Sequence, residues 1–424
     1  MRNRPIQIPI RLSRRAGTAV FVLTVVCATR TGAVLAADPG VEVRVRTVEP
    51  DPAVGRLTAL SLQSGAVLQS GDDKRQIATR DVISIEVLDA SRESTPDDSD
   101  DPPPGRDGVF VGLANGDRIK GRIARSAADA LALDTSDLGN LTLPLEQVAR
   151  IRFAQAAMPA YTESVRWFER PLASEDDRVL LTNGDVVRGF VTAIDHEGVT
   201  IDNGSARNTI PLRLAVAARL VHPQPAPPQG LYAVAAFRDG SRITFTSLEW
   251  VNREIEARSA GGARLEFDAG RASRLDFLGG RWEWLSDQSP ASYEHTPMLA
   301  LDWEYRPDRN VMGGPLTVAG EAFERGIGVH SRSSLIFEIK GAYREFVTSF
   351  GMDDDSGPVA DVTVVILVDG QKRFEKAHIR PGMLHGPVRL DVAKAGRLEL
   401  IVDFGDNGDL QDRFDWIETG LIRP

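Results

Sequence analysis

One cysteine and six histidines are the whole supply of soft metal ligands and disulfide partners in 424 residues. That scarcity excludes a disulfide framework and sets aside an iron–sulfur or multi-metal protein. Aromatic residues are few, at 6%, and no apolar run reaches the roughly 20 residues a membrane-spanning helix needs. Positive charge is scarce as well, once the first 36 residues are set apart. They hold six arginines (Arg2, Arg4, Arg11, Arg14, Arg15, Arg30) and no acid, which leaves 44 basic residues against 60 acidic ones, a net charge of −16. A chain this acidic is a poor binder of phosphate backbones, so nucleic acid is not an expected partner. The patterns Gly-x-Ser-x-Gly and His-Glu-x-x-His are missing, and the single Cys27 lies in the leader. The expectation is therefore a protein that is not an enzyme.

What is present begins with that leader. A basic stretch to Arg15 precedes an apolar run from Ala16 to Ala28, and Val34-Leu35-Ala36 supplies small residues before Ala37-Asp38. Residues 1–36 read as a secretory signal peptide. The run is too short for a membrane anchor, so the mature chain is expected to be exported, periplasmic or extracellular, without a membrane span. At 42% hydrophobic residues, the remainder can bury cores for two to four domains.

Residues 89–106 are acidic and proline-rich and read as a solvated linker. Residues 222–230 (HPQPAPPQG) form a stiff connector. The role of 154–177 is open; it has the apolar content of a short packed helix. Between these stretches lies an internal repeat. One copy reads VGLANGDRIKGRI from Val111, another VLLTNGDVVRGFV from Val179, and a third, partial one VAAFRDGSRITF from Val234. Asn115 precedes Pro144 by 29 residues, Asn183 precedes Pro211 by 28, and Asp239 precedes Asp268 by 29. A degenerate copy starts near Leu57. Alternating apolar residues around Asn-Gly-Asp or Asp-Gly are strong hairpin signals. Asp117 and Asp185 accordingly read as turn and edge residues, not catalytic carboxylates. The expectation is five short strands per copy, in small SH3- or Sm-like barrels over 55–88, 107–153, 178–221 and 231–277. No copy could bury much core alone, so neighbouring copies should pack together.

From about Trp282 the texture changes. Alternating segments separated by Gly, Asp and Pro turns read as an antiparallel two-sheet sandwich of about eight strands over 280–424. The residues Leu285-Ser286-Asp287, Gly326-Ile327-Gly328-Val329-His330-Ser331, Gly351-Met352-Asp353-Asp354, Val368-Asp369-Gly370 and Asp412-Arg413-Phe414-Asp415-Trp416 stand in this order. In these blocks the segment resembles the NPCBM family, a carbohydrate-binding module often attached to glycoside hydrolases. The resemblance covers about a third of the chain and none of the repeats. It implies a galactose-binding-like jelly-roll sandwich and a sugar ligand. The family carries His after the first Asp of its closing block, where this chain has Arg413. That departure bears on which ligand is taken.

Sugar recognition needs flat aromatic faces for the C–H side of the ring and fixed polar groups for its hydroxyls. Trp303, Tyr305, His330, Arg332, Asp412, Arg413 and Trp416 are the candidates. Trp416 lies in an alternating strand and also reads as core. His330 also reads as a loop-fixing hydrogen bonder. Two acidic runs, with Asp353 and Asp354 in one and Asp403, Asp406 and Asp409 in the other, read either as solvated turns or as ligands of a structural calcium. The leading expectation is a secreted, non-catalytic carbohydrate-binding protein with the repeats as spacers or contact modules. The alternative is an envelope scaffold that uses the repeats for protein contacts, with sugar binding lost.

Overall fold

Some strands alternate buried and more exposed side chains, as Glu254–Ser259 and Val362–Val368 do, while others, such as Gly326–His330, are buried along their whole length. The computed structural model describes residues 40–88, 108–124, 129–154, 176–251, 254–298 and 302–424. The leader, the acidic linker and most of 154–177 lie outside those residues. The described residues are strands, turns and five short 3-10 helices, with no α-helix among them.

Four five-stranded units come first. They comprise β1 (Val41–Thr47), β2 (Ala53–Ser61), β3 (Gly65–Ser70), β4 (Asp73–Ile77) and β5 (Val82–Val87); β6 (Gly108–Leu113), β7 (Arg118–Ile123), β8 (Ala130–Thr135), β9 (Gly139–Pro144) and β10 (Val148–Phe153); β11 (Asp177–Leu181), β12 (Val186–Ile194), β13 (Gly198–Asp202), β14 (Arg207–Pro211) and β15 (Ala215–Arg219); and β16 (Tyr232–Phe237), β17 (Arg242–Val251), β18 (Glu254–Ser259), β19 (Arg264–Asp268) and β20 (Ala272–Leu278). In every unit the first four strands form an antiparallel meander, and the fifth returns to pair with the first. The first unit starts ahead of Leu57, because β1 supplies the partner that β5 requires.

The regular spacing in the sequence has a local cause. In each Asn-Gly-Asp turn the Asp backbone N–H donates to the Asn Oδ1 at 3.1 Å, Asp117 to Asn115 and Asp185 to Asn183. Gly116 and Gly184 take φ of +92° and +87°, which glycine adopts without strain. The proline at the far end precedes a 3-10 turn. Pro144 and Pro211 sit at φ −54° and −56° before Leu145–Gln147 and Leu212–Leu214, as their rings dictate. In the fourth unit Asp268 replaces proline and accepts the Gly270 N–H at 2.8 Å. Turn and cap thus fix both ends of a constant middle.

The units pair in a nested order. β10 lies beside β15, joining the second and third, and β5 lies beside β20, joining the first and fourth. One continuous core runs through all four, including Val45, Ile85, Val111, Ile151, Val179, Ala218, Phe237 and Phe277.

The sandwich follows, with β21 (Trp282–Trp284), β22 (Ser292–His295), β23 (Arg306–Pro307), β24 (Leu316–Val318), β25 (Glu321–Phe323), β26 (Gly326–His330), β27 (Ser333–Glu338), β28 (Glu345–Met352), β29 (Val362–Val368), β30 (Gln371–Ile379), β31 (His385–Asp391), β32 (Arg397–Phe404) and β33 (Arg413–Ile422). One sheet runs β23-β26-β33-β28-β31 with β21 also on β33, and the other runs β22-β27-β32-β29-β30. β24 and β25 form a separate hairpin. Phe337, Phe346, Phe350, Phe414 and Trp416 fill the space between the sheets.

A smaller apolar cluster joins the repeats to the sandwich. Val48 and Ile83 of the first unit pack with Trp282, Trp284, Val347 and Ile422. Arg389 Nη2 donates to the Val48 carbonyl at 2.9 Å, and Arg281 Nη1 to Asp81 Oδ1 at 3.1 Å. The outer face of the β21–β33–β28 sheet is covered here.

Candidate functional site

Ser331 and Arg332 carry the chain from one sheet to the other, between the end of β26 and the start of β27. β33 begins at Arg413, directly opposite His330. This crossing gathers polar groups at one end of the sandwich. Ser331 Oγ donates to Asp412 Oδ2 at 2.6 Å, and the Asp361 backbone N–H donates to Asp412 Oδ1 at 3.1 Å. Both Ser331 and Asp412 are fully buried.

The Ser331 carbonyl meets two imidazoles, His330 Nδ1 at 2.9 Å and His295 Nε2 at 3.1 Å. A carbonyl only accepts, so each of these nitrogens carries its hydrogen. His295 Nδ1 correspondingly accepts the Trp303 backbone N–H at 3.3 Å. Burial pushes the His330 pKa down, against the pull of the Ser331 carbonyl, so the ring is neutral at neutral pH. Its Nε2 then presents an acceptor lone pair. Trp303 stacks on this ring, with centroids 5.1 Å apart and planes 9° from parallel. The indole is half-buried, and the Tyr293 hydroxyl holds its backbone by donating to the Trp303 carbonyl at 2.7 Å.

Five of the seven residues expected from the sequence come together here: Trp303, His330, Arg332, Asp412 and Arg413. Arg332 is exposed and lies 3.5 Å from Asp403 Oδ1. Arg413 Nη1 donates to the Asp355 carbonyl. Burial raises the Asp412 pKa to about 6. Tyr305 goes elsewhere; its ring lies 5.1 Å from Tyr293 and packs against the sandwich core. Trp416 is 0% exposed, with Phe350 and Phe414 around it. It lies in the core between the two sheets and offers no face to a sugar. Sequence reasoning missed His295 and Tyr293, although the alternation Tyr293-Glu294-His295 already put them on one side of a strand.

Residues 281–422 match the NPCBM/NEW2 domain family. Among solved structures, the CBM51 module of Clostridium perfringens GH95 in complex with methyl-galactose is 22% identical, covers 33% of this chain and 99% of its own, and has a TM-score of 0.31. The CBM51-2 and INT domains of Clostridium perfringens ZmpB, with GlcNAc, are 23% identical over 45% of this chain and 43% of theirs, with a TM-score of 0.30. The tandem CBM51 modules of Sp3GH98 from Streptococcus pneumoniae SP3-BS71 are 13% identical over 80% and 97%, with a TM-score of 0.31. No curated protein matches the chain.

The NPCBM domain thus spans the sandwich and leaves the four repeats outside. Its Gly326–Ser331 and Asp412–Trp416 blocks lie side by side, with Gly328 opposite Asp415 and His330 opposite Arg413. A Cβ on Gly328 would fall 2.4 Å from the Arg309 carbonyl oxygen, so close backbone approach requires glycine there.

The acidic runs of the NPCBM domain do not converge. Asp353 is buried and lies 3.3 Å from Asn310 Nδ2, while Asp354 accepts the Gly320 N–H at 2.9 Å. Asp409 accepts the Met298 N–H at 2.9 Å. Among the described residues, the group of acids and histidines close enough to share an ion is Asp361, His378 and Asp406. Of the five expected calcium ligands, only Asp406 belongs to it. The other four are spent on turns, on the Met298 backbone or on Arg332.

Proposed function

We propose that this protein is an exported, non-catalytic carbohydrate-binding protein, and that sugar binds where Trp303 stacks on His330. That stack is the observation that carries the reading. A half-exposed indole held by its backbone suits the apolar face of a pyranose. The His330 Nε2 lone pair would accept from one hydroxyl, and the Arg332 and Arg413 guanidinium groups would donate to others. The NPCBM match supports the same role. The four units, whose strand order resembles small SH3- or Sm-type barrels, would serve as spacers or contact modules. A glycan array probed with the full chain tests the reading. Binding to a defined set of sugars is expected, and a folded chain that binds none of a broad panel would contradict it. Phe190, 60% exposed on β12, favours a second reading, a scaffold with protein contacts through the repeats; that reading would then take over.

Export rests on the basic and apolar leader. Sequencing the N-terminus of mature protein should start near Ala37, and an intact Met1 would contradict cleavage.

A further inference from the structure

Asp361 opens β29 from the interior, with its side chain 1% exposed. Its Oδ2 lies 3.2 Å from His378 Nδ1, and Asp406 Oδ2 lies 3.8 Å from the same nitrogen. The donor atoms of all three residues fall within 4.8 Å of one another. A tetrahedral zinc with bonds of about 2.0–2.1 Å holds neighbouring ligand atoms about 3.3 Å apart. The second Asp361 oxygen, Oδ1, is buried with no hydrogen-bond partner among the described residues. A buried carboxylate oxygen left unpaired costs free energy that a cation would recover.

The place is filled at present by a weaker cation. Arg380 Nη2 lies 3.2 Å from Asp361 Oδ2 and 3.9 Å from Asp406 Oδ2. Its side chain is 62% exposed, so it can swing away into solvent.

We propose that Asp361, His378 and Asp406 form a zinc site, in which a divalent ion with nitrogen affinity displaces the Arg380 guanidinium. The imidazole nitrogen decides the metal class, because calcium and magnesium take oxygen ligands while zinc takes both. Water completes the coordination. The site ties the Asp403–Gln411 stretch to the sandwich core, and through the Asp361 N–H it reaches Asp412 beneath the Trp303–His330 stack. It does not depend on sugar binding.

The test is isothermal titration of the chelator-stripped full chain with zinc chloride, with calcium and magnesium chloride as controls. One zinc per chain is expected, and no heat from the other two. His378→Ala and Asp406→Asn change exposed side chains and should leave the fold intact while weakening zinc at least tenfold. Arg380→Ala should tighten it several-fold by removing the competing cation. Cobalt in place of zinc should give the intense visible absorption of a tetrahedral complex. Absence of stoichiometric zinc binding, or binding unchanged in both ligand variants, would overturn the proposal. An affinity lowered or unaltered by Arg380→Ala would contradict the exchange of cations.

Discussion

Asp415 is wholly buried on β33, and burial together with the neighbouring Asp353 carboxylate pushes its pKa up to about 10. In the unfolded chain it would titrate near the ordinary 3.8. Between these values the native state holds a proton that the unfolded state releases, so stability from this group is fully present below about pH 4 and falls as pH rises towards 10. One proton corresponds to about 1.4 kcal/mol per pH unit. Asp415→Asn should remove this contribution. Urea unfolding at several pH values from 5 to 8 should show the parent losing stability more steeply than the variant by about that amount. Parallel lines would mean that Asp415 is ionised in the native protein. This residue also shows what the sequence could not reveal. The closing block identifies Asp415 and Trp416 as neighbours, but only the sheet pairing tells that both are enclosed, one between carboxylates and the other among phenylalanines. His295 was illegible for a related reason: its role depends on the Ser331 carbonyl, which arrives from 36 residues away.

At the scale of elements, the hairpins were readable because their cause is local. Asn, Gly and Asp within three positions define the turn, and the turn sets the register of its strands. The use each turn is put to was not readable. Asp185 is exposed, and among the described residues its side chain serves its own turn through Asn183. Asp117, at the same place in the motif, is buried and accepts from Thr244 N at 2.9 Å and Thr244 Oγ1 at 2.6 Å in the fourth unit. Asp117→Ala should therefore cost about 2–4 kcal/mol, because it strands buried donors, while Asp185→Ala should cost under about 1 kcal/mol. Denaturant unfolding of the two variants compares them directly, and equal losses would contradict the bridging role. The nested pairing of β5 with β20 and β10 with β15 escaped sequence analysis as well. Nothing local in those strands chooses which neighbour they meet.

Over the whole molecule, repeats and sandwich share buried surface at Val48, Ile83, Trp282, Trp284, Val347 and Ile422. Cutting the chain near 280 would expose apolar side chains that the repeats now cover, so ligand binding is best measured on the full chain. The overall charge of the chain also bears on the ligand. An acidic molecule with two arginines at the proposed sugar end favours neutral or locally anionic sugars there, read by hydrogen bonds rather than by long-range attraction. The all-β architecture and the sandwich were legible from period-two patterning and ordered motif blocks. The stack of Trp303 on His330 was only half legible, since both residues were candidates but their contact was not.

The most direct test of that stack is isothermal titration of the preferred array sugar into the full chain and its Trp303→Ala variant. The parent should bind with a dissociation constant on the order of 0.1–1 mM. Losing the aromatic face should cost roughly 1–3 kcal/mol, a weakening of about 5- to 150-fold with an unchanged circular dichroism spectrum. Equal affinity in a folded variant would place the sugar somewhere other than on Trp303.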